Sequence, residues 1–344
     1  MIKNNQRTLG ASGLVVPAMG VGIASWGEKQ LGYGRMYTRD DVTQAYRACL
    51  DAGLNFFDTA EMYGQGESER LLGECRRQDG RPILNATKFS TSSIVTPSFT
   101  RSSPRALLHA LDGSLQRLGV DCIDLYQLHV PPAPHKLDAY MDVLAEAVRA
   151  GKVRAVGLCN FNATLLRQAH ARLAQHGIPL ASTMVGYNLL RRYPETNGVL
   201  DACRELNVAL LAFAPLAEGV LSGKYRTGTP IPGAYRMLWM IEKLDLFGET
   251  RGSVSTVRRW FSKHRPAQRE KLEPLFVVLE EIARAHEKTI AQVALNWLMS
   301  GDADIIPIPG AKNVRQANEN AGTLDWRLTK EEYDRINQTE IATR

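Results

Sequence analysis

Leu54-Asn55-Phe56-Phe57-Asp58-Thr59-Ala60-Glu61-Met62-Tyr63-Gly64 is the stretch from which the rest of the chain is read. A short apolar run ends in a carboxylate, and a phenol follows five residues later on a loop. A buried strand that delivers an acid and a proton donor to one end of a barrel has this form. Upstream, from Thr38, the residues Val42, Ala45, Tyr46, Cys49 and Leu50 recur at i, i+3, i+4, i+7 and i+8, and Gly53 closes the segment. A helix therefore leads into the strand.

The same alternation continues in both directions. Short apolar runs at 18–22, 54–58, 82–87, 122–128, 153–158, 180–185, 208–213 and 304–308 are strand candidates. Amphipathic segments lie between them. Ser103-Pro104 reads as an N-cap and first-turn proline ahead of Leu108, Leu111, Leu115 and Leu118. Thr289 with Gln292, and Thr329 with Glu332, have capping-box spacing. Alternating strands and helices mean parallel βαβ units. Eight of them, with no GxGxxG after the first strand, favour an α/β fold of the closed (β/α)8 TIM-barrel kind over a doubly wound sheet. Residues 7–22 read as an N-terminal β-hairpin around Ala11-Ser12-Gly13, and one barrel domain is expected over 1–344. The rhythm breaks only after strand seven. Between Phe213 and Leu272 lies a long loop holding Trp239, Trp260 and Phe261, expected to be a substrate lid or a structural excursion.

Composition narrows the class. Of 344 residues 44% are hydrophobic and 23% charged, ordinary for a globular chain with a large core. The net charge of +6 is mild, so no nucleic-acid partner is expected, and the basic run from Arg258 to Lys271 reads as a solvated face. Cys49, Cys75, Cys122, Cys159 and Cys203 make an odd number with no CxxC pair. With no apolar leader and no window near about 18 uninterrupted apolar residues, a reducing cytoplasmic setting away from membranes is expected.

Asp58, Lys88 and His129 each end an apolar run, and Tyr63 follows the first of them. Singly, each has a plain structural reading: a turn cap, a rim lysine, a core histidine, a loop aromatic. Their joint placement at the ends of strands two, three and four outweighs those readings. Together they resemble the catalytic tetrad of the aldo-keto reductases. The resemblance covers nearly the full length. It includes Thr8-Leu9-Gly10 with Ser12-Gly13-Leu14, and Gly64-Gln65-Gly66-Glu67-Ser68-Glu69 with Leu72-Gly73. It continues through Ala155-Val156-Gly157-Leu158-Cys159-Asn160-Phe161, Pro215-Leu216-Ala217 and Pro307-Ile308-Pro309-Gly310-Ala311-Lys312. Gly322 and Trp326 give the last segment the look of plant and cyanobacterial-type members.

What the resemblance implies is an NADPH-dependent oxidoreductase that reduces a small-molecule aldehyde or ketone to an alcohol by direct hydride transfer. Tyr63 would be the general acid, and Lys88 would lower its pKa from about 10. Asp58 would pair with the Lys88 ammonium, and His129 would hydrogen-bond the substrate carbonyl. Trp26 and Asp58 would flank the nicotinamide, Asn160 would hold its carboxamide, and Phe213 would stack on the ring. Pro215, Leu216, Ala217 and Lys224 would line the pyrophosphate. Lys312 would be the cation for the 2′-phosphate, Glu319 and Asn320 would meet the adenine, and Gly310 and Gln316 belong to the same cofactor-binding segment. No metal is implied. Two positions depart from the family. Cys159 stands where a serine is usual and Met184 where a glutamine is usual, which removes two polar anchors of the carboxamide; Tyr187, Asn188 and Gln127 are candidate replacements. A different class also resembles the family: an NADPH-binding sensor subunit like the potassium-channel β subunits.

Overall fold

The computed structural model describes residues 5–91, 103–224, 272–301 and 304–339. The expected eight strands are all present. In chain order after the hairpin they are β3 (Val21–Gly22), β4 (Phe56–Asp58), β5 (Leu84–Phe89), β6 (Ile123–Leu128), β7 (Val153–Cys159), β8 (Leu180–Gly186), β9 (Ala209–Phe213) and β10 (Ile305–Ile308). Each pairs in parallel with its neighbours in sequence order. The ring is completed where Gly20 N donates to Pro307 O at 3.0 Å and Gly22 N to Pro309 O at 2.9 Å. The fold is a (β/α)8 barrel.

Side-chain alternation divides the core in two. One set of strand residues, including Phe56, Ala86, Leu125, Ala155 and Ile306, fills the barrel interior. The other set, including Tyr126, Val156, Leu158, Val185 and Leu210, packs outward against the helices. Strands covered on both faces read as nearly continuous apolar runs, which is why they stand out in the sequence.

The outer layer holds α1 (Arg39–Asp51), α2 (Glu67–Asp79), α3 (Ala106–Leu118), α4 (Leu137–Arg149), α5 (Ala163–Gln175) and α6 (Val199–Leu206). It continues with α7 (Glu273–Ala285), α8 (Ile290–Ser300), α9 (Val314–Ala321) and α10 (Lys330–Gln338). Capping boxes are formed at Thr289 with Gln292 and at Thr329 with Glu332, as expected, and also at Thr38 with Asp41. The start of α3 differs from the sequence reading. Ser103 and Pro104 form a separate turn, with Ser103 O accepting from Ala106 N and Pro104 O from Leu107 N. The helix begins at Ala106 with Arg105 as its cap, because the proline's fixed φ serves that turn equally well. The expected lid over 226–271, and the basic run within it, lie outside the described residues.

The hairpin of β1 (Gln6–Thr8) and β2 (Val15–Pro17) sends Leu9, Leu14 and Val16 into the interior core. It thereby plugs the end of the barrel where the strands begin. Gly10 makes the close approach possible. Its φ is +52°, and a Cβ there would stand 2.3 Å from Asn207 O. Gly10→Ala should lower the urea midpoint, with at least about 1–2 kcal/mol lost to the left-handed backbone alone. An unchanged midpoint would show that the plug adds no stability.

Candidate active site

At the opposite end of the barrel the backbone is strained. Among the described residues seven non-glycine residues have positive φ, and five of them (Gln65, Asn160, Ala214, Ala217 and Glu218) lie in the loops after β4, β7 and β9. Strain of this kind, of order 1–3 kcal/mol per residue, persists where surrounding structure holds it and clusters at functional sites. Two of the four tetrad residues, Asp58 and Lys88, are carried by strands at this end, and His129 directly follows a third.

Asp58 ends β4 and Lys88 lies within β5, one residue before its end. Lys88 is fully buried, and its Nζ donates to Asp58 Oδ2 at 2.6 Å and to Thr59 O at 2.7 Å. Tyr63 opens a 3-10 turn after β4 and is only partly buried. Its ring centroid lies 5.1 Å from Lys88 Nζ and 5.6 Å from the His129 ring, which stands edge-on to it. His129 follows β6 and is tied to β5 by its backbone N–H, which donates to Phe89 O at 2.8 Å. Asp58, Tyr63, Lys88 and His129 thus form one cluster.

The electrostatics differ from the sequence expectation in one respect. Lys88 does pull the Tyr63 phenol downward, but burial is the larger effect and Asp58 adds to it, so the pKa is pushed up to about 12. Tyr63 is a protonated phenol throughout the neutral range. Burial works against the Lys88 ammonium, yet the Asp58 carboxylate outweighs it and holds the lysine protonated. Burial, followed by repulsion from Lys88, pushes the His129 imidazole well below its usual range, so it is neutral. A charged lysine, a protonated phenol and a neutral imidazole sit side by side.

Beyond β7, Asn160 takes a φ of +63°, and its Nδ2 donates to His129 O at 3.0 Å and to Cys159 Sγ at 3.2 Å. Cys159 and Met184 are cross-strand partners on β7 and β8, both buried in the interior core with Phe213 packed against it. The two departures therefore make a single sulfur-bearing apolar patch. Each of the suggested polar replacements makes a bond elsewhere. Tyr187 donates its hydroxyl to Glu195 Oε1 at 2.8 Å and packs edge-on against Trp297 in the outer core. Asn188 donates to Ala214 O and accepts from Leu190 N, both at 2.9 Å. The Gln127 amide is directed to Asp58.

The remaining cofactor candidates fall in two groups, the turn before α9 with Trp26 against it and the segment after β9. Trp26 is fully buried and donates its Nε1–H to Ala311 O at 2.8 Å, supporting the turn before α9 rather than lining an open surface. Gln316 Oε1 accepts from Lys312 N at 2.9 Å, and Asn320 Nδ2 donates to Gly310 O at 3.1 Å. These two amides brace the turn. Lys312 Nζ lies 5.2 Å from the centroid of the Tyr37 ring. The Glu319 backbone carbonyl accepts from Gln292 Nε2, and its carboxylate pairs with Arg315. Pro215, Leu216 and Ala217 follow β9 where Ala214, Ala217, Glu218 and Gly219 all have positive φ, and Lys224 is exposed at the end of that segment. Among the described residues no group of three His, Cys, Asp or Glu side chains could hold a metal, and no helix is long and apolar enough to cross a membrane.

The sequence model described as the aldo/keto reductase family matches residues 18–341. The chain belongs to this family. As an aldo-keto reductase it is 33% identical over 333 residues to a chloroplastic pyridoxal reductase of Arabidopsis thaliana, covering 93% of this chain and 82% of that protein. It is 32% identical to the aldo-keto reductase yakc of Schizosaccharomyces pombe, whose name carries NADP(+), over 91% of this chain and 85% of that one. Among solved structures, an aldo/keto reductase from Klebsiella pneumoniae in complex with NADP and acetate is 25% identical, with a TM-score of 0.68 over 96% of this chain and 94% of that one. The glycerol dehydrogenase of Gluconobacter oxydans, 23% identical, superposes with a TM-score of 0.77 over 98% of this chain and 95% of that one, which bears on the fold alone.

Two features of this aldo-keto reductase escaped sequence reasoning. One is the contact of Tyr37 with Lys312, which joins the loop before α1 to the turn before α9. The other is the partner of Gln127. A signal for it was present, since Gln127 is two residues before His129 and so shares its strand face.

Proposed function

We propose that the protein is an NADPH-dependent carbonyl reductase with Tyr63 as general acid. The observation that carries this reading is the cluster itself: a buried Lys88 ammonium held between Asp58 and Tyr63, with neutral His129 across the Tyr63 ring. When bound, the dihydronicotinamide supplies the hydride. The chain's own residues supply the rest. His129 donates a hydrogen bond to the substrate carbonyl oxygen and orients it. Tyr63 gives that oxygen its proton, and Lys88 stabilises the phenolate left behind. Asp58 keeps the lysine charged. The same cluster supports catalysis over a purely sensing role, for which a protonated phenol beside a buried cation has no use.

The donor set of these two groups suits the cofactor. The positive-φ backbone at Ala214, Ala217, Glu218 and Gly219 shapes the turn along which the pyrophosphate would lie. Lys312 and the start of α9 offer a cation and a helix N-terminus for a 2′-phosphate. Cys159 and Met184 leave the carboxamide to Asn160. Lys312→Ala should raise KM for NADPH by about 10–100-fold, the worth of one charge-assisted hydrogen bond, and leave KM for NADH nearly unchanged. Equal losses for both cofactors would remove the phosphate role.

The test of the reading is single-turnover oxidation of enzyme-bound NADPH against a panel of aldehydes and ketones, with Tyr63→Phe as matched control. Pyridoxal and other flat aromatic aldehydes belong at the head of the panel, given the Arabidopsis relative's name and the aromatic loops around the site. Tight NADPH binding with no oxidation by any carbonyl would instead favour the sensing role.

A further inference from the structure

We infer that Gln127 is a positioning residue for this reduction: its side-chain amide locks the Asp58 carboxylate so that the Lys88 ammonium stays aimed at Tyr63, and Gly157 leaves the space that the amide occupies. This inference rests on the proposed reductase reading. It assigns a task to a residue outside the tetrad.

Gln127 is fully buried on β6, directly opposite Lys88 on β5 and Gly157 on β7. Its Nε2 donates to Asp58 Oδ1 at 3.1 Å, while Lys88 Nζ donates to Asp58 Oδ2 at 2.6 Å. Each carboxylate oxygen has one donor, each from a different strand, and among the described residues Asp58 accepts from no other side chain. Held by Lys88 alone, the carboxylate could swing about its own χ2 and carry the ammonium with it. Held at both oxygens, it cannot. The ammonium is then fixed in turn, with one N–H on Asp58, one on Thr59 O and one left toward Tyr63.

The chemistry of an amide fits this task better than the alternatives. A carboxylate at 127 would place two negative charges in contact, and a hydrocarbon would leave Oδ1 buried without a donor. The neutral amide satisfies Asp58 while leaving Lys88 as its sole counter-charge. Room for it is made on the neighbouring strand. A Cβ at Gly157 would stand 2.9 Å from Gln127 Cγ and 2.7 Å from Ser182 Oγ, so any side chain there must displace the amide. The titratable groups facing the Asp58–Lys88 pair are Tyr63 from the loop after β4, His129 after β6 and Cys159 at the end of β7. Among the polar groups bonded to Asp58, Gln127 alone carries no charge to be titrated.

The experiment compares the pH profile of kcat for wild type, Gln127→Leu, Gln127→Glu and Gly157→Ala at saturating NADPH, with Tyr63→Phe run alongside. Gln127→Leu should lower kcat by about 10–100-fold, the cost of a small misplacement of reacting groups, with NADPH affinity unchanged. Its acid limb should move to higher pH, because a carboxylate that has lost an N–H donor takes a proton more readily. Gly157→Ala should shift the limb the same way with Gln127 intact. Gln127→Glu should work only while the new pair of carboxyls shares a proton, and so gain a basic limb at lower pH than wild type. A Gln127→Leu enzyme with wild-type kcat and an unmoved acid limb overturns the inference, as does a loss equal at every pH and matched by weakened NADPH binding. Titration of Asp58 by its carboxyl carbon resonance needs no turnover. If wild type reduces no carbonyl the reductase reading fails, while an upward shift of Asp58 in Gln127→Leu upholds the lock and an unchanged titration removes it.

Discussion

Tyr63→Phe is expected to bind NADPH as tightly as wild type and to reduce no carbonyl at a measurable multiple of background. Removing one hydroxyl changes neither the turn around Lys312 nor the Asp58–Lys88 pair, so the cofactor loses nothing it touches. The reaction loses its proton source. General acid catalysis contributes about 10²–10⁴-fold, and nothing near Tyr63 can substitute: His129 is held neutral by burial and by Lys88, and Lys88 is held protonated by Asp58. Stopped-flow absorbance of bound NADPH on mixing with aldehyde checks this in one measurement. Oxidation at the wild-type rate would end the assignment of Tyr63 as acid. Because burial sets the phenol near 12, reduction should also persist well above neutral pH, falling only as the phenol ionises.

The second large effect concerns the buried ion pair. Lys88→Met leaves the Asp58 carboxylate without its counter-charge where it is only 5% exposed, and breaking a buried pair from one side costs about 3–5 kcal/mol. Asp58 would take up a proton to limit the damage, since burial already pushes its pKa upward. Turnover should vanish together with much of the stability. The double variant Asp58→Leu with Lys88→Met separates the two losses. It should recover a large part of the urea midpoint, because two well-packed apolar side chains can replace a buried pair at little cost, yet recover no turnover. A double variant as unstable as Lys88→Met would mean that packing, and not charge, sets the cost.

Particular residues show where the sequence was legible and where it was not. The parallel strands were visible because both of their faces are covered. The reading stopped β5 at residue 87 because Lys88 interrupts the apolar run; the strand continues through Phe89, since the ammonium is paired inside the barrel and not in solvent. That Asp58, Lys88 and His129 come together was legible because each sits at or beside a strand end, a position that each strand marks locally. Contacts that depend on register were not. That Cys159 and Met184 touch requires the pairing of β7 with β8, including a register shift at Val156 and Gly157 that no local pattern encodes. Tyr187 and Asn188 looked suitable as donors, but their neighbours had already claimed them. The amide of Gln127 reaches across β5 to Asp58 on β4, so its face could be read but not its partner.

The seam between β3 and β10 has a consequence for how the site comes into being. Residues 20–22 must wait for residues 307–310 before the ring can shut. Nearly the whole chain leaves the ribosome first, and closing so long a loop is slow. Asp58 and Lys88 come from neighbouring strands and can meet early. The turn at Gly310–Lys312 cannot take its place beside Trp26 and Tyr37 until the end. Under the proposed function, the chemical centre can therefore form before its cofactor anchor, and only the closed barrel would select a phosphorylated cofactor.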